Sequence, residues 1–131
     1  MSRSGYSDDG DEWAMIRWRG AVKKAVNGRR GQAFLQELLT ALDALKVKRL
    51  IAYDLIADGE VCALGALGLA RNLDMTAFDH EVDKDIADAF GIAPALASEV
   101  MYVNDDAYGY RCSPEHRFNM MRKWVSGQIK P

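Results

Sequence analysis

The sequence predicts a single, mainly α-helical domain of five or six helices, and three observations support this prediction. The chain has 131 residues, 49% of them apolar, which is the size of one ordinary domain that buries a core without metal or disulfide staples. Apolar residues recur at helical spacing in several segments. Glycine, proline and N-capping residues stand where those segments begin or end. We therefore expect residues 12–131 to form one helical domain.

The N-terminal region divides into an arm and a first helix. Residues 1–11 are rich in Ser, Gly and Asp, and they predict a flexible arm because such a composition buries too little surface to offset the entropy of ordering. From about residue 11 to residue 27, apolar residues recur near helical spacing and predict the first helix. Trp13 and Ile16 are expected to face the core, and Trp18, further round the helix, to be exposed.

The second helix carries the strongest apolar stripe of the chain. Residues 27–31, Asn-Gly-Arg-Arg-Gly, tolerate left-handed backbone and predict the turn before it. Two consecutive helices joined by a short loop favour an antiparallel hairpin that buries this stripe. The stripe consists of Phe34, Leu35, Leu38, Leu39, Leu42 and Leu45.

The middle of the chain leaves one element open. Residues 47–56 are partly β-branched and aromatic, so they fit either a helical turn or a strand. If they form a strand, we expect a short two-stranded β element near residues 49–56. Asp58 is then expected to cap a helix of small residues that runs from Glu60 to Asn72.

Three further helices are predicted toward the C-terminus. Residues 83–90 indicate a short helix stopped by Gly91, and Pro94 opens the next helix. This pair has the spacing of a helix-turn-helix, but its second helix offers few side chains that read DNA, so we interpret it as an ordinary helix corner. Ser113 as N-cap and Pro114 at the first helical position begin the final helix.

Charge is distributed unevenly along the chain, although the net charge is only −2. Residues 13–49 hold nine Lys/Arg and two carboxylates, whereas residues 54–106 hold twelve carboxylates and two Lys/Arg. A molecule polarised in this way can bind an anionic partner on one face and a cationic partner on another. The candidate basic site comprises Arg17, Trp18, Arg19, Lys23, Lys24, Arg29 and Arg30, and the candidate acidic surface comprises Asp79, Glu81, Asp83, Asp85, Asp105 and Asp106.

Each of these surfaces predicts a different partner. The basic helix hairpin around residues 17–30 suits nucleic acid, because Lys and Arg neutralise phosphates and the N-terminus of the following helix favours an anion. The acidic surface suits a protein complex, since its carboxylates can imitate a phosphate backbone and occupy a nucleic-acid groove. The alternative for both is a solvated charged face that keeps the domain in solution. A second copy of the chain is left open as a partner.

Catalysis, metals and cofactors have little support in the sequence. It contains no phosphate-cradling, nucleophile-elbow or dinucleotide-binding motif, and His80 and His116 lack companions at metal-ligand spacing. We therefore expect no cofactor, no metal and no enzymatic activity, with thiol chemistry at the i, i+4 pair Cys112 and His116 as the one exception. Without a long apolar run or an apolar leader, the sequence predicts no membrane span and a cytoplasmic location.

Several phrases of the sequence are similar to those of small uncharacterised accessory proteins of temperate phages and prophages. They are the opening SGYSDD, then GRRGQAFLQELLTALDALKVKRLIA, DGEVCALGALGLAR and SPEHRFNMMRKWV. The resemblance covers residues 4 to about 129 and brings no catalytic or metal-binding residues. It implies a protein that acts by stoichiometric binding to a host or phage complex, including inhibition of host defence systems.

Overall fold

A computed structural model of the chain describes Ser4 and residues 12–77, 83–109 and 111–131. Within these residues lie six helices, and the prediction of a mainly α domain with a short two-stranded β element is confirmed. The predicted flexible arm lies outside the described residues except for Ser4, which is buried. The elements are α1 (Glu12–Asn27), α2 (Arg29–Ala44), β1 (Ile56–Ala57), β2 (Glu60–Val61), α3 (Ala63–Ala70), α4 (Asp83–Phe90), α5 (Pro94–Asp105) and α6 (Pro114–Gln128).

The helix α2 lies at the centre of the core, in contact with α1, α3 and α6. Its predicted stripe is confirmed, because Phe34, Leu35, Leu38 and Leu42 are all buried. The helix α3 packs between α2 and α5 and is buried on nearly every side. All eight of its residues are Ala, Gly or Leu, and the glycines let neighbouring segments approach it closely.

The β element is a hairpin that lies later in the chain than the predicted segment 49–56. β1 and β2 pair antiparallel, with Ile56 opposite Val61. The turn between them is Asp58-Gly59, whose φ angles of 52° and 80° are both positive, as a two-residue type I′ turn requires. An Asp-Gly pair between short apolar segments is a strong hairpin signal, and its turn function here outweighs the capping propensity of Asp58.

The helix that follows the hairpin therefore begins later than predicted. Its N-cap is Cys62, whose Sγ accepts the backbone N–H of Gly65 at 3.4 Å. The predicted cap at Asp58 and helix start at Glu60 are wrong, since Glu60 lies in β2. Residues 47–55, upstream of the hairpin, form neither helix nor strand, and the Ile51 N–H donates to the Val61 carbonyl at 2.9 Å.

The C-terminal half agrees with the local signals of the sequence. α4 and α5 form a corner bent by 101°, and Pro94 opens α5 as predicted. Ser113 caps α6, because its side chain accepts the backbone N–H of His116 at 3.1 Å. Among the described residues, no single helix has the length and apolar composition to cross a membrane. The bent pair α4–α5 reaches that length and apolar composition only when its two helices are counted together.

Candidate functional site

The orientation of α1 decides which of its side chains are available for binding. Trp13 and Ile16 are 71% and 50% exposed, whereas Trp18 is partly buried, so the prediction for all three is wrong. The helix packs through Val22, Ala25 and Val26. At about 100° per residue, Trp18 falls on that side, while Trp13 and Ile16 point more than about 120° away from it.

All Lys and Arg side chains of the predicted basic cluster are exposed. Arg29 and Arg30 belong to α2, and the other four lie on two flanks of α1. Helical spacing places Arg17 and Lys24 on one flank and Arg19 and Lys23 on the other, roughly 120° apart. The exposed Trp13 lies four residues before Arg17, next to the first flank.

The first flank borders a cleft of about 490 Å³. Three segments form the cleft, namely the end of α1, the beginning of α2 and the beginning of α5. Lys24, Arg29 and Arg30 line it together, so the fold brings three of the predicted basic residues to one place. Its remaining walls are mainly alkyl groups, supplied by Ala21, Ala25, Ile92, Ala93, Pro94, Ala95 and Leu96.

The beginning of α2 adds positive charge to this cleft. Residues 27–31 do not form a loop, because α2 begins at Arg29 directly after Gly28. Among the described residues no side chain caps this N-terminus, and its first turn contains no acidic residue. Arg29 and Arg30 thus lie at the positive end of the helix dipole, where a cation costs roughly 0.3–1 kcal/mol and an anion is favoured.

Arginines elsewhere in the molecule have internal partners. Arg71 donates two hydrogen bonds to Glu37, at 2.7 and 2.6 Å, and Arg122 donates two to Asp43, at 2.6 and 3.1 Å. These bonds hold the pKa of both Glu37 and Asp43 below its ordinary value. By contrast, Lys24, Arg29 and Arg30 form no ion pair with a carboxylate of the described residues.

Two carboxylates of the predicted acidic surface serve the fold instead. Asp105 is only 2% exposed, and its Oδ1 accepts the Tyr53 backbone N–H at 3.0 Å and the Asn104 Nδ2 at 2.7 Å. Asp106 accepts the Tyr53 hydroxyl at 2.9 Å, which raises the pKa of that tyrosine. The prediction that Asp105 lies on a partner-binding surface is wrong, because the residue is buried. The sequence does not reveal this burial, which arises because the end of α5 anchors the segment that carries Tyr53.

The rest of the predicted acidic surface is described only in part. Asp79 and Glu81 lie outside the described residues, as does the side chain of Asp83. Asp85 lies partly buried on α4. Across residues 12–77, 83–109 and 111–131, no three His, Cys, Asp or Glu side chains come together in a group that could hold a metal ion.

Cys112 and His116 both lie at the beginning of α6. The Cys112 thiol donates to the Ser113 carbonyl at 3.4 Å, and the Ser113 hydroxyl accepts the His116 N–H. Between the side chains of these two described residues the structure records no hydrogen bond. Cys112 and His116 thus flank the N-cap Ser113, and the hydrogen bonds that they form with it are those of a helix N-terminus.

Sequence reasoning missed one wall of the cleft and the exposed aromatic residue beside it. The wall at residues 92–96 depends on the packing of α1 against α5, for which the sequence carries no local signal. The exposure of Trp13 follows from its angle to Val22 and Val26 on the helical wheel, a signal that was available. Comparison of the chain with protein families, with curated proteins and with solved structures finds no match.

Proposed function

We propose that this chain acts by stoichiometric binding and that its ligand is nucleic acid, contacted through the cleft at the junction of α1 and α2. One observation carries the proposal: Lys24, Arg29 and Arg30 converge on a single cleft without ion-pair partners among the described residues. Converging cations on an uncapped helix N-terminus favour a phosphate ligand.

The approach to the cleft has a second property of nucleic-acid surfaces. Trp13 is largely exposed, and Arg17 lies one helical turn beyond it on the same flank. An exposed aromatic beside cations supplies stacking as well as phosphate contacts. Trp13, Arg17 and Lys24 thus form one line along α1, which is about 16 Å long at 1.5 Å per residue.

A protein complex is the other partner class that the sequence predicts. Its predicted contact is the acidic surface, where Asp105 is buried and Asp106 is bonded to Tyr53. Of the predicted acidic residues whose side chains are described, Asp105 is buried and Asp85 and Asp106 are partly buried, whereas the cations of the α1–α2 junction are all exposed. We favour nucleic acid for that reason. The phage context implied by the resemblance stays a prediction.

Binding of fluorescently labelled oligonucleotides, measured against salt concentration, tests the proposal. We expect affinity to fall steeply with salt, because phosphate contacts release condensed counterions. The double variant Arg29→Ala, Arg30→Ala should bind more weakly, and its slope of log K against log salt should be shallower by about 1.4 for a single strand if two phosphate contacts are lost.

The double variant Lys46→Ala, Lys123→Ala is the matched control, because it removes the same net charge from exposed lysines. Lys46 follows the last turn of α2, and Lys123 adjoins Arg122, which is paired with Asp43 near that end. Neither lysine lines the cleft, and Lys46 lies roughly 20 Å from Arg29 and Arg30 at 1.5 Å per helical residue. Equal losses in the two double variants would reject the cleft as the contact.

A pull-down from host lysate, with and without nuclease, separates the two partner classes. Recovered material that disappears after nuclease treatment agrees with the proposal. A discrete protein recovered in both halves, together with no affinity for oligonucleotides, would replace it with the protein-binding alternative.

A further inference from the structure

We propose that the cleft takes one unstacked nucleotide, so that the protein prefers single-stranded nucleic acid to duplex. This inference rests on the proposed function and specifies the form of its ligand. It starts from the difference between the two parts of the cleft: Lys24, Arg29 and Arg30 supply charge, whereas Ala21, Pro94 and Ala95 supply alkyl surface.

The cleft is larger and more apolar than a phosphate site needs to be. Its volume of about 490 Å³ lies within the range of about 300–1,000 Å³ typical of pockets for small organic ligands. A phosphate alone would leave the alkyl walls in contact with water. A nucleotide has both a charged phosphate for the cations and a flat apolar base face for the walls.

The preference for single-stranded nucleic acid over duplex follows from the accessibility of the base faces. In a duplex the bases are stacked and paired, and a pocket can receive one only if it is flipped out at a cost of a few kcal/mol. In a single strand the base faces are available without that cost. The described lining contains only alkyl and cationic side chains besides glycine, so we expect little discrimination among bases.

The test compares three probes of equal length on the full chain, and the duplex carries about twice the phosphates of each single strand, which by charge alone would favour the duplex. The probes are a labelled oligothymidine of about twelve nucleotides, within the usual footprint of single-strand binders, the same strand paired with oligoadenine, and an abasic strand of the same length. We expect the oligothymidine to bind about fivefold more tightly than either of the others, the factor that corresponds to removing roughly 40 Å² of apolar surface from water at about 25 cal/mol per Å².

A cleft-filling variant locates the effect. Ala21→Leu, Ala95→Leu adds alkyl volume from two walls without changing charge, and it should abolish the preference for oligothymidine over the abasic strand. The control is Ala33→Leu, Ala44→Leu, at two exposed α2 positions that do not line the cleft. If the double variant does not fold, the single variant Ala21→Leu replaces it. The comparison of the three probes on the wild-type protein tests the inference without any variant.

The outcomes separate this inference from the proposed function. Equal affinity for the oligothymidine and abasic strands would overturn the nucleotide cleft but leave phosphate binding intact. No affinity for any probe would overturn both. Competition by thymidine monophosphate as strong as that of the strand, at equal nucleotide concentration, would make the occupant a free nucleotide and overturn the strand assignment.

Discussion

At the scale of single residues, Gly31 sets the distance between α1 and α2, which form two sides of the cleft. A Cβ at this position would lie 1.9 Å from the Ala25 carbonyl oxygen, and backbone atoms cannot yield as a flexible side chain can. We expect Gly31→Ala to lower the free energy of unfolding by about 3 kcal/mol. Urea unfolding followed by circular dichroism measures this loss.

Gly20 provides the control in α1, since a Cβ there meets no atom of the described part of the chain within 4 Å. Gly20→Ala should raise the free energy of unfolding by roughly 0.5–1 kcal/mol, because alanine has less backbone entropy to lose in a helix interior. If Gly31→Ala proved as harmless as Gly20→Ala, the close approach of α1 and α2 would be wrong.

Asn104 is a second residue on which several segments depend. Its buried amide accepts the Ala63 N–H at 3.1 Å and donates to the Ile51 carbonyl at 3.0 Å. Asn104→Leu leaves both backbone groups without this partner, and we expect a loss of about 3 kcal/mol in the free energy of unfolding. The exposed Asn119 on α6 is the control, where replacement by Leu should change stability by less than about 0.5 kcal/mol. Similar effects in the two variants would contradict the bridging role.

At the scale of elements, Arg71 joins three helices. It follows α3, forms a two-pronged contact with Glu37 of α2, and donates to the Phe90 carbonyl at the end of α4 at 3.1 Å. The Arg71 guanidinium lowers the pKa of Glu37 from its ordinary value of 4.5. The pair therefore stabilises the fold above that value, and the stabilisation is lost as the pH falls through the lowered pKa of the folded state.

This dependence can be measured as the difference in unfolding free energy between the wild type and Glu37→Gln. Because the Glu37 side chain is 45% exposed, solvent screening keeps the contribution below about 1 kcal/mol. We expect the wild type to be the more stable protein near neutral pH and the difference to shrink in acid. A difference that stays constant across the acid range would contradict the ion pair.

At the scale of the whole molecule, the sequence predicts what local signals encode and misses what long-range packing decides. The stripe of α2, the corner at Pro94 and the cap at Ser113 depend on periodicity and capping within a few residues, and all three are confirmed. The cleft depends on α1 meeting α5, a contact between segments about seventy residues apart in the sequence. The burial of Asp105 has the same origin, because its partner Tyr53 is 52 positions away.

The same packing predicts that stability is uneven across the molecule. In α1 only Val26 is fully buried, whereas α2 contributes a continuous buried stripe. Segments with few buried apolar contacts open more readily, so we expect backbone amides before Gly20 to exchange hydrogen faster than those of α2. Bound single-stranded DNA should slow exchange around Arg17 and residues 28–31, as measured by mass spectrometry. Equal exchange in α1 and α2 would contradict this ranking, and unchanged exchange near Arg17 in the bound protein would remove that flank from the binding surface.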